Sequence, residues 1–173
     1  MADTLTASIS VGASGSTSKD AVLCAAVDSV SSGSRTFPLM TQDIEYGTGA
    51  GQATTWYRAQ RNLAAGAAES LDLSGSLLSP FGDTLTFTRV IGIVVAIVSA
   101  DGTASVRVGP QGIANPWMGP WGTSADYIKV KYWWSMTDGS AAGWPVTAGT
   151  ADILRISNPG AAAVDYIIWI LGS

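Results

Sequence analysis

Leu85-Thr86-Phe87-Thr88-Arg89-Val90-Ile91-Gly92-Ile93-Val94-Val95-Ala96-Ile97-Val98, followed by Ser99-Ala100-Asp101-Gly102-Thr103-Ala104 and Ser105-Val106-Arg107-Val108, decides the fold class. Leu85 to Thr88 alternates apolar and polar, the period of a half-buried strand. The apolar run from Val90 to Val98 that follows is nine residues long. A membrane-spanning helix needs about 20, so the run reads as a buried core strand. Ala100-Asp101-Gly102-Thr103 carries the Asp-Gly pair of a type I′ hairpin turn. Ser105 to Val108 is therefore expected to return as the partner of the long strand.

The same signals recur on both sides. Upstream, Thr6 to Val11 alternates weakly, Asp20 to Val30 is small and apolar, and Gln42 to Tyr46 is a short strand candidate. Gly47 to Gly51 is a glycine loop. Thr54 to Leu63 sets Trp56, Arg58 and Gln60 on one face and Thr55, Tyr57, Ala59 and Arg61 on the other. That strand is expected to meet protein on one side and water or a neighbour on the other. Ala68 to Leu73 alternates, and Ser79 to Asp83 is a Pro-Gly turn. Downstream, the prolines of Gly109 to Asp126 exclude a central strand and predict a loop. Tyr127 to Met136 reads as one strand, with Ile128, Val130, Tyr132, Trp134 and Met136 toward the core. Asp138-Gly139-Ser140 marks a turn, Ala151 to Ser157 alternates, Asn158-Pro159-Gly160 is a tight turn, and Val164 to Leu171 is strongly β-prone. No sustained helical stripe interrupts the series.

About eight to ten strands at this spacing predict an all-β chain, an antiparallel β-sandwich of jelly-roll-like form. The sandwich is expected over residues 19–173. The Ser/Thr/Gly-rich residues 1–18 read as a flexible arm that orders only on a neighbour. Ala65 to Ser74 and Ala148 to Ser157 echo one another without a gap: a glycine turn, an acidic strand start, then inward aliphatics. Two related hairpins would produce the echo, and so would convergence on ordinary turn chemistry.

Composition narrows the function classes. Only 13% of the 173 residues are charged, and there are 7 Trp. An average soluble domain carries roughly 25% charge, so part of the surface is expected to be covered by other subunits. A net charge of −4 with scattered basic residues argues against nucleic acid. The N-terminus lacks a basic segment followed by an apolar one, so the chain is expected to be made in a cytoplasm and to stay soluble, with no membrane partner. The single cysteine, Cys24, cannot form an intrachain disulfide and reads as a small buried hydrophobe.

Chemistry-bearing motifs are scarce. There is no histidine, which removes the commonest general base and the commonest metal ligand. The Cys/His clusters of a zinc site and the Asp-rich loop of a calcium site are both missing. The acids mostly mark turns and strand ends, and Gly47 to Gly51 lacks the Lys-Ser/Thr of a phosphate cradle. No catalytic residue, metal or cofactor is expected.

The tryptophans carry the most information. Trp117 and Trp121 lie in the Pro/Gly loop and Trp144 in a later one. Trp133 and Trp134 are adjacent, so on a strand they point to opposite faces. Three readings compete: core and loop anchors, interface anchors, and a sugar-stacking platform. The low charge favours the interface, with Trp117, Trp121 and Trp144 on the contact surface and Trp133 or Trp134 between subunits.

A series of segments completes the reading. It comprises Tyr46 to Ala53, Leu71 to Leu77, Phe87-Thr88-Arg89-Val90, Val146 to Ile156, and Ala162 to Ser173 with Ile168-Trp169-Ile170-Leu171-Gly172-Ser173. Together they resemble small structural proteins encoded among the virion genes of tailed bacteriophages. The resemblance spans most of the chain from Tyr46 onward, and Trp117 to Trp144 follows it least. It rests on turns and strands and transfers no site residues. It implies a β-sandwich virion component of head or tail. The expected role is a capsid decoration or cement protein, a small homo-oligomer with a trimer favoured, bound to the major capsid protein or other virion proteins. A tail, collar or fibre subunit and a carbohydrate-binding module are the alternatives.

Overall fold

The computed structural model describes residues 7–11, 40–79, 81–99 and 103–173. These residues are all-β, with no helix among them and fourteen strands. The chain divides into two compact units at Ile44/Glu45. In the unit Thr6–Ile44, β1 (Ala7–Val11) pairs antiparallel with β2 (Met40–Tyr46), from Ala7 opposite Ile44 to Val11 opposite Met40. Part of the expected flexible arm is therefore strand. Its remainder, the 18/19 boundary, Cys24 and the apolar run Asp20 to Val30 lie outside the described residues.

The unit from Glu45 onward holds two larger antiparallel sheets. The long-strand sheet runs in the order β11 (Trp133–Thr137), β8 (Arg89–Ile97), β14 (Val164–Gly172), β4 (Thr55–Leu63), with β12 (Trp144–Pro145) also pairing with β8. The short-strand sheet runs β10 (Ile128–Val130), β9 (Val106–Gly109), β13 (Ile153–Ser157), β5 (Ala68–Asp72). A hairpin of β6 (Ser74–Leu78) and β7 (Thr84–Thr86) stands apart. The last residues of β2, Glu45 and Tyr46, pair in parallel with β3 (Gln52–Ala53).

The pairings are nested. Counting only the eight strands on the two main sheet paths, the first pairs with the last (β4 with β14) and the second with the seventh (β5 with β13). The third then pairs with the sixth (β8 with β11) and the fourth with the fifth (β9 with β10).

Alternation explains the core. Tyr57 and Leu63 of β4, Val90, Ile93 and Val95 of β8, and Tyr166, Ile168 and Ile170 of β14 are buried. They join Leu71, Val106, Val108, Val130, Leu154 and Ile156 of the short-strand sheet in one apolar cluster. The long apolar run is thus the buried strand expected, central in its sheet. Polar anchors complete the frame. Asn158, buried in its turn, donates to the carbonyls of Leu63, Ala64 and Ala162 and accepts from Gly160 N–H. Arg89 is also buried; it donates to Ser173 Oγ and to the carbonyls of Gly49, Gln52 and Ala141.

Two expectations are corrected. Ser105 to Val108 does not return as the partner of the long strand. The edges of β8 are taken by β11, β12 and β14, so β9 joins β10 and β13 in the other sheet. The Asp101-Gly102 turn lies outside the described residues. Tyr127 to Met136 is not one strand. The chain bends at Lys131 and Tyr132, leaving β10 in one sheet and β11 in the other. Val130 stays buried and Trp134 and Met136 pack against the core, but Tyr132 is 70% exposed.

Candidate protein-contact face

The seven tryptophans separate into two groups. Trp117, Trp121, Trp134 and Trp144 form a connected aromatic chain. Trp117 meets Trp121 edge-on at 5.5 Å and Trp144 at 6.2 Å, and Trp121 lies 6.2 Å from Trp134. Trp117 is 0% exposed and donates its indole N–H to the Pro145 carbonyl at 3.0 Å. The Pro/Gly loop reaches this position because Trp117 N–H bonds the Ile153 carbonyl and Pro116 bridges Ile153. At Gly119, φ is +36°, and a Cβ there would stand 2.7 Å from the Trp117 ring. Glycine is what lets the loop close over the indole. The contact surface expected at Trp117 and Trp121 is therefore interior: both indoles are buried in the core, and Trp134 and Trp144 pack against it.

The second group lies on the outer face of the long-strand sheet. Directly opposed residues in antiparallel strands share a face. One row is Gln60, Ile167, Ala96, Trp133; the next is Arg58, Trp169, Val94, Ser135; the next is Trp56, Leu171, Gly92, Thr137. Trp133 is 55% exposed, Trp169 37% and Trp56 36%. Arg58 is the single charge in these three rows, and its guanidinium stacks on Trp169 at 5.3 Å from the ring centroid. Asn62 and Asp165 bound the face at one end, bonded to each other at 2.8 Å. A groove of about 470 Å³ runs beside it, lined in part by Trp56, Arg58, Gln60, Leu78 and Ile167.

Of the five tryptophans singled out from sequence, only Trp133 lies on this face. Trp56 and Trp169 were missed, although parity marks them. Tyr166, Ile168 and Ile170 share one parity of β14 and Trp169 has the other; Tyr57 is buried and its neighbour Trp56 is not.

One cluster of ionisable groups is tied up between the sheets. Glu69 of β5 accepts from Arg61 Nε of β4 at 2.6 Å and from the Tyr166 hydroxyl of β14, and Tyr57 accepts from Arg61. This network links the inward sides of both sheets. Burial pushes the Tyr166 phenol well above its ordinary pKa, and the bond to Glu69 adds to the shift. Burial also raises Tyr57. Among the described residues no three acids or thiols gather as metal ligands, and no helix is long and apolar enough to cross a membrane. No family model matches the chain, and neither curated proteins nor solved structures gave a match.

Proposed function

We propose that the chain is a non-enzymatic structural subunit that buries the tryptophan face of its long-strand sheet against further copies of itself. In the virion setting implied by its resemblance to tailed-phage structural proteins, that oligomer is a capsid decoration protein bridging shell subunits. The observation that carries the reading is the outer face with Trp56, Trp133 and Trp169 partly exposed around a single guanidinium. Indoles and arginine are the residues that dominate protein contacts once desolvated. The chain carries a net charge of −4, yet the three central rows hold no carboxylate. Copies of an acidic protein can meet there without repulsion between acids.

The finer architecture fits the same reading. A strand order of β4-β14-β8-β11 and β5-β13-β9-β10, with first-to-last nesting, supports the reading of the sheets as a ribbon rolled into a jelly-roll sandwich. Viral capsid and lectin domains use that form. A shell protein bound only by the assembled lattice stabilises it by mass action.

A gel of purified particles tests the role. Decoration requires copies in fixed proportion to the major shell protein; far fewer copies would move the chain to the tail, collar or a fibre. The groove beside Trp56 supports a second reading, a carbohydrate-binding module. Tryptophan fluorescence titrated with sugars tests it, and a flat response removes it.

A further inference from the structure

We infer that the outer face of the short-strand sheet holds a binding site for a small oxyanion, a carboxylate or phosphate group carried by a ligand of about monosaccharide size. Arg107 of β9 stands opposite Ser157 of β13, and Arg155 stands opposite Gly109. The two arginines are thus diagonal neighbours on one face, and Lys129 of β10 lies directly opposite Arg107. Three cations are gathered in a chain whose net charge is −4. Like charges side by side on a sheet are destabilising unless something neutralises them.

Nothing described in the chain does so. The Nε atoms of Arg107 and Arg155 are buried and have no hydrogen-bond partner. Among the described residues neither arginine is ion-paired with a carboxylate; the ion pair shown is Arg61 with Glu69. Asp72, diagonal to Arg155, accepts from Ser74 N–H, and Asp126 accepts from Gly122 and Thr123. Both arginines are half-buried overall, so an oxyanion would meet the outer N–H groups of each guanidinium rather than the buried Nε, and guanidinium suits it by offering paired donors.

The site is built rather than incidental. Both arginines line a cavity of about 430 Å³ together with Gln111, Tyr127 and Ser157. That volume is within the usual range for small ligands. Arg107 lies 4.7 Å from the centroid of the Tyr127 ring, which fixes the plane of its guanidinium. Gln111 takes a left-handed φ of 49° and donates to the carbonyls of both Arg107 and Arg155, while Ser157 Oγ donates to its Oε1 at 2.5 Å. One side chain therefore locks the two arginine-bearing strands in register below the cavity.

The test is a titration of the full chain followed through the arginine Nε–H resonances. The probes are inorganic phosphate and glucuronate, with methyl glucoside as the neutral control and chloride as the simple anion. Saturable shifts at Arg107 and Arg155 with phosphate or glucuronate, and none with methyl glucoside or chloride, are expected. Arg155→Gln should weaken binding by about tenfold or more, the scale of one charge-assisted contact. Arg155→Lys, with its charge retained, supplies a second variant, and circular dichroism checks that each is folded. Shifts that do not saturate, that chloride reproduces, or that persist unchanged in folded Arg155→Gln would overturn the site. Saturation by phosphate alone, or by glucuronate alone, identifies which oxyanion the cavity takes. None of these outcomes depends on the tryptophan face.

Discussion

Leu71 and Leu154 stand directly opposite one another where β5 pairs antiparallel with β13. They are also equivalent positions of the internal echo, so the two copies pair with each other about a local two-fold axis through these leucines. Both are buried, at 1% and 0% exposure. The equivalence extends into the turns before the strands. Ala67 N–H bonds the Ala64 carbonyl and Thr150 N–H bonds the Thr147 carbonyl, each at 3.1 Å. Gly66 and Gly149 take φ of 69° and 72°, a conformation only glycine adopts at no steric cost. The echo is therefore a repeat of geometry as well as of letters.

Trp117→Ala should destabilise the fold by about 3–5 kcal/mol, the cost of emptying a large aromatic site in a packed core. It removes two edge-on indole contacts and the bond to Pro145. Trp133→Ala on the outer face should change the stability of the isolated subunit by no more than about 0.5 kcal/mol. Urea unfolding followed by circular dichroism measures both. Equal effects would contradict the division of the indoles into core and face.

Arg89→Met should cost roughly 1–3 kcal/mol, because a buried guanidinium that bonds several partly buried acceptors is lost, while the exposed Ala141 carbonyl hydrates and the Gly49 carbonyl keeps the Gln52 N–H. The carbonyls of Gly49, Gln52 and Ala141 are the ones affected. Arg89→Lys should fall between, since an ammonium lacks the planar fork that reaches several acceptors at once. A loss under about 1 kcal/mol for the methionine variant would show that Arg89 does not pin these loops.

Stability should be level through neutral pH and fall above pH 10. Tyr166 and Tyr57 have phenols raised above their ordinary value of 10.0, chiefly by burial. The folded chain therefore keeps protons that the unfolded chain releases, and each alkaline step favours unfolding. The loss approaches about 1.4 kcal/mol per pH unit for each fully shifted phenol. Urea midpoints across pH 8 to 12 (on the order of the tyrosine range) give the profile, and Tyr166→Phe should flatten it. Ionisation of all five tyrosines near pH 10 with the fold intact would contradict this assignment.

Much of the fold was legible because local alternation governs it. Val90 to Val98 announces a core strand, and Asn158-Pro159-Gly160 announces its turn. Sheet membership was not legible. Asp101-Gly102 favours reversal, but whether β9 lies beside β8 depends on which edges of β8 are free, and those are filled from Trp133 and Tyr166 onward. The indoles failed for the same reason. Proline and glycine around Trp117 mark an irregular path, not its direction, and the acceptor that buries it is Pro145, 28 residues away. Trp169 and Trp56 could have been assigned to the outer face from parity alone, had the neighbouring Ile168, Ile170 and Tyr57 been used as the inward reference.

Sedimentation equilibrium of the purified chain, beside Trp169→Glu, tests the contact face most directly. The wild-type chain should sediment as a small closed oligomer of its 17.8 kDa subunit, and the folded glutamate variant as a single subunit. A wild-type chain that stays a single subunit at all accessible concentrations, or an oligomer that Trp169→Glu leaves intact, would contradict it.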